Sequence, residues 1–103
     1  MIKVSVLYPN GPGHKFDHDY YSREHMPMVQ RRLGASLQRM AVERGLSGGE
    51  PGSAPPFLAC GHLYFQSVEA FQSAFAPHAG PIMADIPNYT NAKPVIQISE
   101  VVL

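Results

Sequence analysis

The sequence has little charge, a single cysteine and no long apolar run. Its 103 residues carry no net charge, which argues against nucleic acid or an anionic membrane surface as a partner. Cys60 is the only cysteine, so an intrachain disulfide is excluded. No apolar segment approaches the ~20 residues of a membrane span, and Met1 leads directly into a strand pattern rather than a signal peptide. We therefore expect a cytoplasmic protein.

The composition also bears on size and assembly. A chain of 103 residues has the usual length of one domain, so we predict a single domain over residues 1–103. Charged residues make up 16% of the chain, against a typical ~25%, whereas apolar residues make up 45%. A small domain with so few charges either exposes little surface to solvent or buries part of its surface against a partner. We favour the second interpretation.

Hydrophobic periodicity predicts a strand-helix-strand unit that occurs twice in succession. The predicted strands cover 2–8, 37–44, 57–65 and 94–102, and the predicted helices cover 17–33 and 68–75. Asp17 and Ser67 are placed to cap the first and second helices, and Gly34 is placed to end the first. A turn is predicted around residues 88–91. This order indicates an α+β, ferredoxin-like βαββαβ fold, with a four-stranded antiparallel sheet and both helices on one face.

The other face of this sheet is predicted to be covered as well. Each strand alternates a strongly apolar set with a mixed set, and in strand 57–65 the mixed set is Leu58, Cys60, His62 and Tyr64. A sheet face open to water is normally more polar than this. We therefore predict a homodimer in which two copies pack through their sheet faces. The pattern does not indicate which set faces the helices.

The first helix carries a histidine on its apolar side. Tyr21, His25 and Val29 share one arc of the helical wheel, so His25 is expected to point inward. Pro27 follows within the helix, where a proline costs ~3 kcal/mol relative to alanine. A kink after His25 would set the direction of the imidazole and open space beside it. The alternative is an ordinary buried histidine in a bent helix.

Several segments together resemble one known family, the EthD proteins named for ethyl tert-butyl ether degradation. The segments are Val4–Pro9, Asp19–Tyr21 with His25-Met26-Pro27, Gly61–Leu63, Ser67–Phe71, and Asp85–Thr90 with Pro94. This resemblance implies the dimeric α+β barrel superfamily, in which two ferredoxin-like subunits pack sheet against sheet. It also implies a ligand pocket between the helices and the sheet. Relatives in that superfamily include cofactor-independent oxygenases, polyketide cyclases, muconolactone isomerases and haem-degrading enzymes.

Two functions follow from the resemblance and from the placement of His25. The first is a cofactor-independent oxidoreductase or monooxygenase, isomerase or cyclase acting on a small apolar or aromatic compound, with His25 as acid or base. Tyr21 and His62 would then hold or polarise an oxygen, and the candidate ligand-binding residues are Tyr64, Met28, Phe71, Phe75 and His78. The second is a non-catalytic accessory protein of an ether- or aromatic-degrading oxygenase system. An enclosed cavity containing His25 and a second polar group would favour the first.

No cofactor and no metal site is predicted. Gly11-Pro12-Gly13 lacks the spacing of a phosphate-binding loop, and nothing in the sequence singles out haem. The histidines before residue 26 show no tight ligand spacing outside the loop pair His14 and His18. Cys60 is predicted to fill space in the core. Only the fold could bring five histidines and one thiol together as metal ligands.

Overall fold

The computed structural model describes all residues from 1 to 103 and contains one four-stranded antiparallel sheet. The strands are β1 (Ile2–Pro9), β2 (Arg39–Arg44), β3 (Phe57–Phe65) and β4 (Val95–Glu100), arranged in the order β2-β3-β1-β4. This arrangement confirms the predicted ferredoxin-like α+β fold. β4 ends at Glu100 because its partner β1 begins at Ile2, which pairs with Glu100.

The first helical region is continuous but changes its hydrogen-bonding pattern twice. It consists of α1 (His18–Tyr20), a π-helical turn (Tyr21–His25) and α2 (Met26–Leu33). The Asp17 carboxylate accepts a hydrogen bond of 3.0 Å from the Tyr20 amide, which confirms the predicted N-cap. Gly34 ends the helix with a φ of +61°, a conformation that favours glycine.

The π-helical turn changes the expected role of Pro27. The amide of Met26 bonds the carbonyl of Tyr21, five residues back, so the ladder has already shifted before the proline is reached. Pro27 then occupies the first turn of α2. A proline is tolerated there because its missing amide hydrogen has no obligatory helical partner. The predicted interruption is therefore a π-helical turn that ends at His25.

The second helical region begins with α3 (Val68–Phe75) and continues through a 3₁₀ turn at Ala76–His78 into α4 (Ala79–Ala84). The Ser67 hydroxyl accepts a hydrogen bond of 3.1 Å from the Ala70 amide, as the sequence predicts. A further 3₁₀ turn, Ile86–Asn88, leads toward β4. No helix has the length and apolar character needed to cross a membrane.

Both helical regions pack on the same face of the sheet, and the structure decides which strand set they cover. In β3 the set Ala59, Gly61, Leu63 and Phe65 is buried, whereas the intervening set is half-buried. The buried set forms the core with residues of both helical regions and of β1. The mixed set that contains Cys60 and His62 therefore lies on the other face, called the open face below.

Candidate functional site

His25 is held at the end of the π-helical turn by a carboxylate from the second helical region. Its side chain is 4% exposed, and its Nδ1 lies 2.8 Å from Oδ2 of Asp85, which directly follows α4. The other carboxylate oxygen, Oδ1, accepts hydrogen bonds from the Tyr20 hydroxyl at 2.7 Å and from the side-chain amide of Asn88 at 2.9 Å. An ionised carboxylate only accepts hydrogen bonds, so Nδ1 of His25 carries the hydrogen. The free lone pair of His25 is then on Nε2.

Burial and hydrogen bonding set the charges of this pair. Burial lowers the pKa of His25 below its ordinary value of 6.5, although the hydrogen bond and the charge of Asp85 act to raise it. Burial acts to raise the pKa of Asp85, but hydrogen bonds from Asn88, His25 and Tyr20 outweigh it and lower the pKa below 3.8. The pair therefore consists of a neutral imidazole and a carboxylate at neutral pH.

Two phenols extend the hydrogen-bonded chain from His25 toward the sheet. The Tyr89 hydroxyl lies 3.4 Å from Nε2 of His25, and 2.5 Å separates it from the Tyr8 hydroxyl. Burial raises the pKa of both Tyr8 and Tyr89, so both phenols stay protonated at neutral pH. Tyr89 can donate to His25 while Tyr8 donates to Tyr89. The side chains of Asp85, His25, Tyr89 and Tyr8 thus form one continuous series of hydrogen bonds.

Tyr21 packs between these hydrogen-bonded side chains and the sheet. Its ring stacks on the His25 ring with 5.6 Å between the centroids and an interplanar angle of 15°. Its hydroxyl lies so close to Gly61 of β3 that a Cβ at that position would overlap it. Burial raises the pKa of Tyr21, which keeps this phenol neutral as well. Gly61 therefore allows the helix to bring Tyr21 and His25 close to the sheet.

A cavity of about 250 Å³ lies beside His25, between the helices and the sheet. Its polar groups come from Tyr8, Tyr21 and His25, and the rest of its surface is apolar. The apolar lining consists of Val4, Val6, Met26, Val29, Leu63, Phe71, Phe75, Ile82, Met83, Ile86, Pro94 and Ile96. Met83 and Ile96 are also exposed to solvent, so the cavity opens between α4 and β4.

Half of the residues predicted for the site lie around this cavity, and the others do not. His25, Tyr21, Phe71 and Phe75 line it. His62 and Tyr64 belong to the open face, since they alternate with the buried residues of β3. The structure therefore does not bring His62 and His25 together, because the sheet separates the two imidazoles.

Met28 and His78 also lie away from the cavity. Met28 is half-buried at the edge of the core without lining the cavity, and Nε of Arg32 lies 3.2 Å from its sulfur. Nδ1 of His78, a candidate ligand-binding residue, lies 3.4 Å from Nη1 of the same arginine. Met28 falls on the apolar arc of the helical wheel with His25 and Val29, but the π-helical turn rotates the residues that follow it about the helix axis.

Three residues of the site were not found from the sequence, namely Asp85, Tyr89 and Tyr8. Asp85 and Tyr89 belong to a segment that carries the EthD resemblance, but its local pattern indicated only a turn. Tyr8 was assigned to a strand without a role. A carboxylate and a phenol around a proline-containing turn are a weak signal, since only the tertiary fold places them beside His25.

The fold and the cavity define an α+β protein with an apolar pocket between helices and sheet, and comparisons identify its family. The family model of the EthD domain matches residues 11–93, and the chain belongs to the EthD family. An uncharacterized 11.0 kDa protein of Rhodococcus erythropolis, encoded in the thcB-thcC intergenic region, is 33% identical over 94 residues. The match covers 88% of this chain and 85% of that protein.

Solved structures agree with this assignment. An EthD-like protein of Ralstonia eutropha JMP134 is similar at 47% identity and a TM-score of 0.94, covering 99% of this chain and 92% of that one. An ethyl tert-butyl ether degradation family protein of Bacillus halodurans C-125 has a TM-score of 0.74 at 23% identity, covering 99% of both chains. HapK from Hahella chejuensis shares the fold at a TM-score of 0.58 and 11% identity, over 100% of this chain and 95% of that one.

Proposed function

We propose that this protein binds a small, largely apolar molecule in the cavity and that His25 exchanges a proton with it. The observation that carries the proposal is the buried His25 imidazole, which Asp85 orients so that its basic Nε2 faces the Tyr89 phenol. Tyr89 in turn bonds Tyr8 of the cavity wall. An oriented, neutral imidazole in an apolar site is suited to act as a general base near neutral pH.

The hydrogen-bonded phenols give the proton a route. Tyr8 lines the cavity and bonds Tyr89, which lies next to Nε2 of His25. A proton leaving the ligand passes to His25 either directly or through Tyr8 and Tyr89. Asp85 stabilises the imidazolium that forms. In the route through the phenols, Tyr8 passes its own hydrogen to Tyr89, takes up the proton of the ligand and then donates a hydrogen bond to the oxygen that becomes negative. Returning the proton to another atom of the ligand completes an isomerisation or a cyclisation. In a cofactor-independent oxygenation, the deprotonated ligand would instead pass electrons to molecular oxygen, which is both the oxidant and the source of the oxygen atom.

The size and surface of the cavity support a ligand with a compact apolar body and one oxygen. Its volume of about 250 Å³ exceeds the ~150 Å³ that holds a benzene molecule in an engineered apolar cavity. The phenylalanines of α3 line one side, and the polar atoms are concentrated around His25. A strongly charged ligand would lose its hydration without finding a counter-ion among the lining residues.

We further propose that the protein acts as a homodimer through the open face. Leu7 of β1 pairs with Cys60 of β3 and Val95 of β4, which places an apolar row across this face. Val95 is 51% exposed in the single chain. A chain with zero net charge does not repel a second copy, and a self-complementary sheet face suits a twofold interface.

The test of the proposed function uses 2-naphthol and its methyl ether, 2-methoxynaphthalene, as probes. They share an apolar body, but only 2-naphthol has a hydroxyl proton to give. Isothermal titration calorimetry should show that 2-naphthol binds more tightly and that His25→Gln weakens it about tenfold, with little change for the ether. Met28→Leu, which alters a side chain outside the cavity, is the matched control and should leave both affinities unchanged.

The outcomes separate the two candidate functions. Equal affinity of 2-naphthol for the parent protein and for His25→Gln would contradict a role for His25. Binding that depends on His25, without exchange of any ligand carbon-bound hydrogen in deuterated water, would identify a binding protein that serves another enzyme, such as an oxygenase.

A further inference from the structure

The open face of the sheet carries a second group of reactive side chains, unrelated to the cavity. Glu43 of β2 and Cys60 of β3 are direct cross-strand partners, and His62 lies two residues further along β3 on the same face. A thiol, an imidazole and a carboxylate each offer one ligand atom here, and these atoms all lie within 4.8 Å of one another. Residues of three different types, from two neighbouring strands, are thus brought together on one face by strand pairing.

The geometry points to a metal site: we propose that Glu43, Cys60 and His62 bind one divalent ion of the zinc type. Zinc binds thiolate sulfur at about 2.3 Å and imidazole nitrogen or carboxylate oxygen at about 2.0–2.2 Å. Ligand atoms around such an ion are therefore separated by roughly 3.3–3.8 Å. Nε2 of His62 and Oε1 of Glu43 are now hydrogen-bonded at 2.9 Å, so a small rotation of the exposed Glu43 side chain admits the ion.

The surroundings of His62 are those of a metal ligand. Oγ of Ser5, a buried residue of β1, lies 3.3 Å from Nδ1 of His62. In the structure Nε2 donates its hydrogen to the Glu43 carboxylate, which can only accept, and Nδ1 accepts from the Ser5 hydroxyl. Binding of the ion would place the hydrogen on Nδ1, which then donates to this hydroxyl, and would leave the lone pair of Nε2 for the ion. The imidazole is 13% exposed and its ring is fixed at both nitrogens, so little conformational entropy is lost when an ion binds.

Ligand chemistry decides which ion fits. A sulfur and an imidazole nitrogen favour zinc, and its spectroscopic substitute cobalt, over magnesium and calcium, which prefer oxygen ligands. Thiolate and carboxylate together carry two negative charges, which neutralise a divalent ion. Three protein ligands leave a fourth position, which a water molecule or a group of the second copy on the open face would fill.

Titration with Co²⁺ tests this site, because a thiolate bound to cobalt gives a charge-transfer absorption and Cys60 is the only thiol of the chain. The expected result is a band that saturates at one Co²⁺ per chain and is displaced by Zn²⁺ but not by Mg²⁺. Cys60→Ser should abolish the band. His62→Gln and Glu43→Gln should each weaken Zn²⁺ binding by more than the 10- to 100-fold expected for loss of the Ser5 hydroxyl in Ser5→Ala.

The metal-binding experiment has a control variant, and two of its outcomes would contradict the proposed site. His14→Gln replaces a histidine of a distant loop and should leave Zn²⁺ affinity unchanged. A band that keeps its intensity and affinity in both Glu43→Gln and His62→Gln would mean that thiols of different chains bind the ion, and it would overturn the proposal. So would the lack of any band at one Co²⁺ per chain, which would leave Glu43 and His62 as a plain ion pair.

The side chain of Glu43 is 60% exposed, so Glu43→Gln should fold normally even if a change at Cys60 does not. Binding of 2-naphthol reports separately on the cavity, which lies on the other side of the sheet. Failure of the metal site and failure of the proposed ligand site are therefore distinguishable.

Discussion

The carboxylate of Asp85 determines what His25 can do. Without it, a buried imidazole could carry its hydrogen on either nitrogen, and its basic atom would have no fixed direction. The contact of 2.8 Å with Asp85 fixes the hydrogen on Nδ1, and the Tyr20 and Asn88 donors hold the carboxylate in place. The ring of Tyr21, stacked on the imidazole, restricts its rotation further.

At the residue scale, burial of His25 makes folding stability depend on pH. Because its pKa lies below 6.5 in the folded chain, the unfolded chain binds more protons between the folded pKa and 6.5. The free energy of unfolding is therefore expected to be highest above about pH 7 and to fall as the pH drops through this window. A second loss is expected below 3.8, where the lowered pKa of Asp85 makes protonation in the folded chain unfavourable.

Urea unfolding between about pH 7.5 and about pH 5 measures this dependence. His25→Gln should flatten the curve. Burial and the nearby Arg44 also lower the pKa of His18, so His18→Gln is measured in parallel to account for its share. If His25→Gln leaves the slope as steep as in the parent protein, the imidazole is not buried in its neutral form.

At the element scale, the π-helical turn explains how a helix accommodates Pro27. A proline in the interior of an α-helix leaves a carbonyl without its donor at a cost of ~3 kcal/mol. Here the amide of Met26 bonds Tyr21, and Pro27 begins a new α-helical segment. The extra residue of the π-helical turn also brings Tyr21 and His25 together on the cavity side, where both are buried.

The contact between this turn and β3 is tested by Gly61→Ala. The added methyl group would overlap the Tyr21 hydroxyl, so the helix must move or the strand must bend. Overpacking of this kind costs about 1–3 kcal/mol, and the displaced Tyr21 and His25 should also bind 2-naphthol less tightly. Urea unfolding and calorimetry measure the two effects.

Gly49→Ala is the control for this substitution, because an added Cβ at Gly49 meets nothing within 4 Å. It should change stability by no more than about 0.5 kcal/mol. Equal stability of Gly61→Ala and Gly49→Ala would show that the helix does not approach the strand so closely.

At the scale of the whole molecule, the two sides of the sheet carry different groups of residues. The covered side holds the core and the cavity, and the open face carries an apolar row beside the Glu43, Cys60 and His62 group. β4 adds exposed Ile96 and Ile98 at the edge of the sheet. An aliphatic edge of this kind is normally covered by another element or another chain.

The proposed dimer is tested by Leu7→Asp, which places a charge in the centre of the open face. Burying an unpaired carboxylate in an interface is strongly unfavourable, so sedimentation should show a dimer for the parent protein and a single chain for the variant. Val102→Asp is the control, since Val102 is 82% exposed near the chain end, and it should remain dimeric. A parent protein that sediments as a single chain would contradict the dimer directly.

The sequence by itself determined the main strands and helices, their order and the inward direction of His25. Alternation in β1 and β3, the caps at Asp17 and Ser67 and the glycine at 34 are local signals, and each lies where it was predicted. The helical periodicity of the first helix likewise predicted that His25 points inward beside Tyr21. These features depend on neighbours within a few residues, which is why a single sequence contains them.

Only the tertiary structure decided which distant side chains meet. Asp85 reaches His25 across 60 positions and Tyr89 reaches Tyr8 across 81, and no periodicity encodes such contacts. The side of the sheet that the helices cover was likewise open in the sequence, and that choice moved His62 away from His25 and toward Glu43 and Cys60. Chain folding in three dimensions sets these pairings, because strand register and helix packing determine which residues share a face.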